Sequence, residues 1–189
     1  GNGTVIVNVP AGVALDAVGN ANPASTSTDN TVNYDNTVPT VTINQAIGQP
    51  DPTNASPISF TVMFSEPVVN FAADDVVLSG TAPGFLTATV SGSGAFYSVT
   101  VSGMIGSGTV SATIPAGNAQ DSAGNSNANS TSTDNTVTYD VTAPTVTINQ
   151  AATQTDPTGS SPVEFTVTFS EPVFGFTDTD VTFGGTANP

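Results

Sequence analysis

Residues 58–65 read Ile-Ser-Phe-Thr-Val-Met-Phe-Ser, so that large apolar side chains occupy every second position. Successive side chains of a β-strand point to opposite faces of the sheet, and this spacing therefore predicts a strand with one buried face. The remaining side chains of the run are predicted to face outward. The predicted inward set is Ile58, Phe60, Val62 and Phe64.

The chain resembles itself at an offset of 105 residues. Residues 39–82 match residues 144–187 at 28 of 44 positions, and residues 3–35 match residues 108–140 at 21 of 33. Within the predicted strand the inward positions are kept at this offset, apart from one change from Ile to Val, whereas the outward positions drift. Self-similarity at a fixed period predicts a tandem array with about 105 residues per repeat.

Only one complete repeat fits within the chain, at residues 36–140. Residues 1–35 are interpreted as the C-terminal part of a preceding repeat, and residues 141–189 as the N-terminal part of a following one. We therefore expect the natural protein to be longer, with repeats stacked end to end as a rod through the short linker at residues 139–144. An alternative is that strands are exchanged between chains.

Turn residues separate short runs with strand character along the complete repeat. Seven strands in about 105 residues, with almost no helical periodicity, are typical of an all-β, immunoglobulin-like Greek-key β-sandwich with one core. The predicted strands are 40–44, 58–65, 76–79, 85–91, 96–102, 109–114 and 131–139.

The composition excludes several kinds of site. The chain has 15 Asp or Glu residues and no Lys, Arg, His or Cys. Thiol and imidazole chemistry and ordinary zinc sites are therefore excluded, as are nucleic acid and anionic membrane surfaces as partners. No apolar run approaches the ~18 residues of a membrane span, so no membrane insertion is expected. The carboxylates must be solvated, spread apart or bound to cations, of which calcium is the natural choice.

Twelve of the fifteen acids fall into six pairs separated by 105 residues. A solvated acidic surface would not need its charges at fixed positions, so this spacing favours a structural role for them. The pairs are Asp16 and Asp121, Asp29 and Asp134, Asp35 and Asp140, Asp51 and Asp156, Glu66 and Glu171, and Asp75 and Asp180. Asp29 and Asp134 fall within a predicted strand, where a solvated surface is the favoured interpretation.

Sandwich topology predicts that four of these acids meet where the complete repeat begins. Glu66 ends the 58–65 strand, Asp75 precedes the next strand, and Asp121 lies in the loop before the last strand. Asp35 is the last residue before the linker. Four carboxylates so close together would repel unless a cation joined them, which predicts calcium at the junction. The alternative is turn chemistry alone, since Asp-x-x-Gly-Asn is also a good turn sequence.

A second junction is predicted at the other end of the complete repeat. Asp140, Glu171 and Asp180 repeat the first arrangement, and Asp51 is expected to reach it from the opposite side. This second site is expected to be incomplete, because the loop equivalent to that of Asp121 would come after residue 189.

Five motifs together resemble bacterial Ig-like repeats of very large secreted or surface-attached adhesins. The motifs are PTVTI at 39–43, FSEPV at 64–68, DVV at 75–77, PAGNAQDSAGN at 115–125 and STSTDNTVTYD at 130–140. The resemblance covers the whole chain and implies an extracellular or cell-surface spacer with calcium-stiffened linkers. It also implies that Asp35, Glu66, Asp75 and Asp121 are candidate ligands. The complete lack of basic residues departs from the usual pattern.

Three functions are compatible with these features. The first is a calcium-stiffened stalk module of an adhesin or surface fibre, whose partners are the neighbouring repeats. The second is a subunit of a self-assembling extracellular filament or surface layer, in which strands pair between copies. The third is a glycan- or ice-binding module that uses the Thr-x-Thr runs at 26–28 and 131–133. An enzyme is not expected, because Glu66 and Asp75, the imaginable glycosidase pair, recur in each repeat without a visible cleft.

Overall fold

Strands supply most of the regular structure of residues 1–186, the part of the chain that the computed structural model describes. Two compact units are present, Gly1–Val141 and the residues from Thr142 onward. The described helices are two 3-10 turns, Ala73–Asp75 and Asp178–Asp180, and none is long and apolar enough to cross a membrane. The strands are β1 (Gly3–Ile6), β2 (Thr31–Tyr34), β3 (Val41–Gln45), β4 (Ile58–Val68), β5 (Val77–Ser79), β6 (Gly84–Met104), β7 (Gly108–Thr113), β8 (Thr136–Tyr139), β9 (Val146–Gln150) and β10 (Phe165–Phe169).

The predicted complete repeat contains two antiparallel sheets, in the orders β3-β4-β6 and β5-β7-β8. β6 folds back on itself, so that an inner arm (residues 94–104) pairs with β4 and an outer arm (residues 84–91) forms the edge. The arms approach closely, since a Cβ atom on Gly84 would lie 2.1 Å from the carbonyl oxygen of Gly103. These arms are the strands predicted at 85–91 and 96–102.

Counting the two arms separately gives seven strands, lettered A to G in chain order. The sheets then read A-B-E-D and C-F-G, which is the strand order of constant-type immunoglobulin domains. The prediction of an all-β, immunoglobulin-like sandwich is confirmed.

Side chains of both sheets form one core between them. The predicted inward face of β4 is buried: Phe60 is 0% exposed, whereas Met63 on the opposite face is 50% exposed. At one end of the core the rings of Phe64, Phe71 and Tyr97 pack edge to face, with centroids 5.0–5.9 Å apart. The Tyr97 hydroxyl donates to the Val68 carbonyl at 3.2 Å, which fixes the end of β4 where the loop to β5 begins.

The predicted strand at 131–139 is wrong in its first half. Only residues 136–139 form β8, and residues 128–134 lie along the edge of β3 instead. The amide of Thr131 donates to the carbonyl of Val41, and the hydroxyl of Ser132 accepts from the amide of Ile43. The chain crosses here from one sheet to the other, and alternating Ser and Thr side chains do not show in sequence where that crossing occurs.

The two flanking segments carry the same local pairings as the central domain. β1 pairs with β2 in the register of β7 with β8, shifted by 105 residues, and β9 pairs with β10 in the register of β3 with β4. Phe165, which occupies the position of Phe60, is 58% exposed. The assignment of residues 1–35 and 141–189 to neighbouring repeats stays a prediction, and residues 187–189 lie outside the described part of the chain.

Candidate metal site at one end of the domain

Two loops meet at the end of the sandwich where the chain enters it. The β4–β5 loop (69–76) pairs with the β7–β8 loop (114–135) through Val69 and Gln120. The Val69 amide donates to the Gln120 carbonyl at 2.7 Å, and the Gln120 amide donates to the Val69 carbonyl at 3.2 Å. This pairing places Glu66, near the end of β4, beside Asp121, the residue after Gln120.

Three of the four carboxylates predicted to meet here do so. Asp35, Glu66 and Asp121, hereafter the carboxylate cluster, each contribute an oxygen atom, and these three atoms all lie within 4.8 Å of one another. Asp121 is 4% exposed and the other two side chains are half-buried. Within residues 1–186 this is the one group of three or more acids with such spacing.

Asp121 is held by hydrogen bonds within its own loop. Its Oδ1 accepts from the amides of Ala123 at 2.8 Å and Asn125 at 2.9 Å, and its Oδ2 accepts from the Asn125 side-chain amide at 2.8 Å. The hydrogen bond from the Asn125 side chain, followed by those from the backbone amides, lowers the pKa of Asp121 below its ordinary value of 3.8. Asp121 is therefore a fixed negative charge.

Asp35 joins the preceding segment to this loop. Its backbone carbonyl accepts from the side-chain amide of Asn125 at 3.1 Å, and its Oδ1 accepts from the backbone amide of Thr37 at 2.9 Å. Its Oδ2 receives no hydrogen bond from a described residue, which leaves that oxygen available to a ligand.

Glu66 has the least favourable environment of the three. Its carboxylate accepts no hydrogen bond from residues 1–186. Burial, and then the negative charges of Asp121 and Asp35, raise the pKa of Glu66 above its ordinary value of 4.5. A bound cation would reverse the electrostatic part of this effect, because it would favour the ionised carboxylate.

The chemistry of the carboxylate cluster fits a hard cation. Its donors are all oxygen atoms, and the chain offers no imidazole or thiolate to a softer metal. Calcium takes 6–8 oxygen ligands in flexible geometry, so three carboxylates could be completed by water and backbone carbonyls. Magnesium demands a more regular octahedron and keeps more of its water. The donor set therefore favours calcium.

Asp75, the fourth predicted ligand, is not part of the carboxylate cluster. Its Oδ2 instead accepts from the backbone amide of Ala72 at 2.8 Å and closes the 3-10 turn Ala73–Asp75. Asp180 accepts from the Thr177 amide at 2.8 Å in the same way. The prediction that Asp75 lies at the junction with the other three acids is not met, because a carboxylate three residues beyond a free amide is satisfied locally by that amide.

Asp51 and Asp140 lie together at the opposite end of the domain. Asp51 accepts from the amide of Thr138 at 2.9 Å, and the amide of Asp140 donates to the Thr53 carbonyl at 2.8 Å. Asp140 also accepts from the Ser107 hydroxyl at 3.0 Å. Half-buried Glu171 belongs to the second compact unit, and a cation site that joins it to Asp140 stays a prediction.

Turn chemistry explains the loop geometry of Asp121 without a cation. Asp16 forms the same loop in the first segment, where it accepts from the amides of Val18 and Asn20 and from the Asn20 side chain. Hydrogen bonds from Asn20 lower the pKa of Asp16, although Asp16 is not part of a carboxylate group. The approach of Asp35 and Glu66 is therefore the feature that points to a cation.

Asn127 is the main structural residue of the site that the sequence interpretation missed. It is 2% exposed, and its side chain makes four hydrogen bonds to the backbone of the β7–β8 loop. It accepts from the amides of Asn118 and Ala119, both at 2.8 Å, and donates to the carbonyls of Pro115 at 3.0 Å and Ala128 at 2.7 Å.

A sequence signal for Asn125 and Asn127 was present. They recur as Asn20 and Asn22 at the 105-residue offset, and Asn22 makes three hydrogen bonds of the same kind, to Ala14, Pro10 and Pro23. The recurrence of these amides is as informative as that of the carboxylates, because one amide side chain can satisfy backbone donors and acceptors at once.

Lowering the pH is expected to stabilise the calcium-free chain at first. Because the folded pKa of Glu66 is raised, its ionised form opposes folding, and stability should rise as the pH falls from about 7 towards 4.5. Asp121 acts in the opposite direction: its lowered pKa contributes stability above 3.8, which is lost as the pH falls further. Thermal unfolding in excess chelator across this range should show a maximum in Tm.

Glu66→Gln is the control for this pH dependence. The variant should melt at a higher temperature than the parent chain near pH 7 without calcium. Its Tm should also rise less than that of the parent chain as the pH is lowered. Equal pH profiles for the two proteins would show that neither burial nor the acidic neighbours raise the pKa of Glu66 in the folded chain.

Comparison with known proteins identifies the family. A family model described as a bacterial Ig-like domain matches residues 35–139, more than half of the chain. No curated protein matches the chain, and no solved structure matches it. The matched range contains Asp35, Glu66 and Asp121, as well as both sheets of the sandwich. The chain belongs to the bacterial Ig-like domain family.

Proposed function

We propose that this chain is part of the stalk of a large extracellular or cell-surface bacterial protein, an adhesin or a surface fibre, in which calcium stiffens the junctions between successive repeats. Bacterial Ig-like domains are structural, non-enzymatic modules that commonly occur in surface or extracellular proteins. The observation that carries the proposal is the meeting of Asp35, from the segment before the domain, with Glu66 and Asp121 in two different parts of the domain.

A cation in the carboxylate cluster would join three separate parts of the chain. Asp35 precedes the linker to β3, Glu66 lies near the end of β4, and Asp121 lies in the β7–β8 loop. The linker is already packed, because Pro39 is fully buried and its carbonyl accepts from the amide of Ala128 at 2.9 Å. A bound cation would remove the remaining freedom of the linker, and without it three like charges repel.

The acidity of the chain makes this stiffening dependent on the surroundings. With no Lys, Arg or His present, no side chain can neutralise the carboxylate cluster. The counter-charge must come from solution, and extracellular calcium is a suitable source because extracellular modules bind it with dissociation constants of roughly 0.1–1 mM. Calcium-rich and calcium-poor surroundings are thus expected to produce a stiff and a loose stalk.

Calorimetric titration of the 189-residue chain with calcium tests the metal site. We expect binding that weakens about tenfold or more in Glu66→Gln, because removing one carboxylate removes a ligand and a charge. Glu66→Gln is a suitable variant because the Glu66 carboxylate makes no hydrogen bond within residues 1–186, so its loss should leave the fold intact.

Asp75→Asn is the matched control, since Asp75 lies in the β4–β5 loop that follows Glu66 but outside the carboxylate cluster. It should bind calcium as the parent chain does. No heat of binding at millimolar calcium, or equal weakening in both variants, would overturn the proposed site. Small-angle scattering on the same samples should show a narrower distribution of interatomic distances with calcium than with chelator.

The Thr-x-Thr runs give little support to a glycan- or ice-binding surface. Residues 131–133 run along β3 and do not form a strand of their own. The hydroxyl of Ser132 accepts from the amide of Ile43, so the run acts as a cover for a sheet edge. A second function in which copies of the chain assemble is favoured by a different edge, the outer arm of β6.

A further inference from the structure

The central domain has four sheet edges, and two of them are covered by other parts of the chain. Residues 128–134 lie along β3 and bond to it through Thr131 and Ser132. The segment around Thr53 lies along β8: its amide donates to the Thr138 carbonyl, and its carbonyl accepts from Asp140. A third edge, β5, has only three residues. Short and covered edges are the usual protection against pairing between molecules.

The fourth edge lacks these protections. It is the outer arm of β6, residues 84–91, and no described strand pairs with its free side. Leu86, Ala88 and Val90 are half-buried against the core, while Thr87 and Thr89 are exposed. The arm contains no Pro and no charged residue, the two kinds of residue that most often prevent strands from pairing.

An open groove of about 460 Å³ lies beside this arm. Val90 and Ala88 form one wall, and Phe71, Ala72 and Tyr97 contribute to the rest. Side chains of a strand added to the edge could enter this groove on the inward face. The edge therefore offers unpaired backbone groups together with a groove that is lined in part by apolar side chains.

The charge distribution indicates which partner fits this edge. All fifteen acids lie outside residues 76–120, the stretch that contains β5, β6 and β7. Two copies of a chain with a net charge of −15 repel one another, and repulsion is least where both present uncharged strands. An antiparallel strand pair is also self-complementary about a two-fold axis, so one edge can serve both copies.

We propose that the outer arm of β6 is a lateral docking edge for a second copy of this chain. The two arms pair antiparallel and join the β3-β4-β6 sheets of two domains into one continuous sheet. The proposal does not depend on the carboxylate cluster or on calcium. A contact over so few residues buries less surface than the ~1,200 Å² at the lower end of stable interfaces, so a single pair is weak. Several domains along a longer chain would strengthen it through avidity.

Sedimentation equilibrium of the 189-residue chain in chelator, at low salt and at about 1 M NaCl, tests the proposal. At 1 M salt the screening length falls to about 3 Å, so repulsion between copies is suppressed and dimer formation should increase. Thr89→Glu places like charges near one another across the proposed pair and should weaken dimerisation about tenfold.

Ser59→Glu is the matched control. It adds the same charge to β4 on the same sheet, and the equivalent position 105 residues later is already Glu164. This variant should dimerise as the parent chain does. Thermal unfolding of both variants verifies that neither change disrupts the domain.

Site-specific crosslinking provides a second measurement, since the chain has no Cys. Thr89→Cys should be crosslinked between copies at high salt by a short bismaleimide. Ser59→Cys should not, because five strand spacings of about 4.8 Å place the two β4 strands about 24 Å apart.

A monomer at every salt concentration would overturn the proposal. So would association that Thr89→Glu leaves unchanged, which would place the contact on the exposed apolar strands of residues 1–35 or 142–186 instead.

Discussion

Asn127→Ala is expected to lower the free energy of unfolding of the central domain by about 3 kcal/mol. The side chain of Asn127 is buried and satisfies four backbone groups of the β7–β8 loop. Alanine leaves two amides and two carbonyls without these partners in a buried place. Each buried polar group that loses its hydrogen bond costs roughly 1–3 kcal/mol, although water that enters the space recovers part of the loss. Urea denaturation followed by far-UV circular dichroism measures the change.

Asn22→Ala is the matched control for this substitution. Asn22 holds the equivalent position in the first segment and makes similar hydrogen bonds, but it is half-exposed, so water can replace its side chain. We expect a cost below about 1 kcal/mol. Asn127→Asp should cost at least as much as Asn127→Ala, because the carboxylate keeps the acceptor but turns a charged oxygen towards the carbonyls of Pro115 and Ala128 in a buried place. Equal effects at Asn22 and Asn127 would mean that burial of the amide does not determine its contribution.

Asn127 also links the stability of the domain to the carboxylate cluster. The loop that it supports carries Asp121 and Asn125, and Asn125 holds both the Asp121 carboxylate and the Asp35 carbonyl. Loosening this loop should weaken calcium binding even well below the Tm of the variant. Two uncharged amides thus position the charged groups on which the proposed function rests.

Much of the fold could be predicted because burial leaves a period-two signal in the sequence. The alternation at 58–65 identified β4 and its buried face, and the 105-residue offset supplied a second copy of the same pattern. The signal failed at 131–139, where Ser and Thr alternate without a buried partner set. Ser and Thr side chains occur equally well in a strand and along the edge of one. The residue at which β8 begins therefore depends on tertiary contacts, which the sequence does not show.

The candidate site was only partly predictable for a related reason. Strand order brings the ends of loops together, and this correctly placed Asp35, Glu66 and Asp121 at one end of the domain. It does not determine where a carboxylate points within its loop. The carboxylate of Asp75 accepts a hydrogen bond from the amide of Ala72, three residues before it. This local hydrogen bond holds the side chain in its own loop and keeps it out of a site shared with distant residues. The unprotected edge of β6 could not be predicted from the sequence either. Whether the edge of a strand is covered depends on which other segments of the chain lie beside it.

Both proposed interactions share one physical origin, which is the absence of internal counter-charge. In the carboxylate cluster the repulsion is local, and a bound cation would relieve it. Between copies it is spread over the surface, and ordinary salt would relieve it by screening. Calcium and monovalent salt should therefore have separable effects, the first on the junction and the second on lateral pairing. A chain with mixed surface charges would not separate the two in this way.

Phe60→Ala is expected to cost about 3–5 kcal/mol, whereas Phe165→Ala should cost less than about 0.5 kcal/mol in the same chain. The two residues occupy equivalent positions, but Phe60 is fully buried between the sheets and Phe165 is 58% exposed. The difference follows from surroundings alone, since both lie in strands of the same local sequence, Phe-Thr-Val. Urea denaturation of the two variants beside the parent chain gives both values.

An extended chain turns this comparison into a test of the tandem array. Replacing the last two residues by a copy of residues 83–140 would supply the third segment with strands equivalent to β6, β7 and β8. If residues 141–189 begin a further repeat, Phe165 should become buried in the extended chain, and Phe165→Ala should then cost about as much as Phe60→Ala. The larger cost of Phe165→Ala must then come from the completed core around Phe165, because the substitution and its local sequence are unchanged. A Phe165→Ala cost that stays below about 0.5 kcal/mol would contradict the tandem interpretation on which the proposed stalk depends.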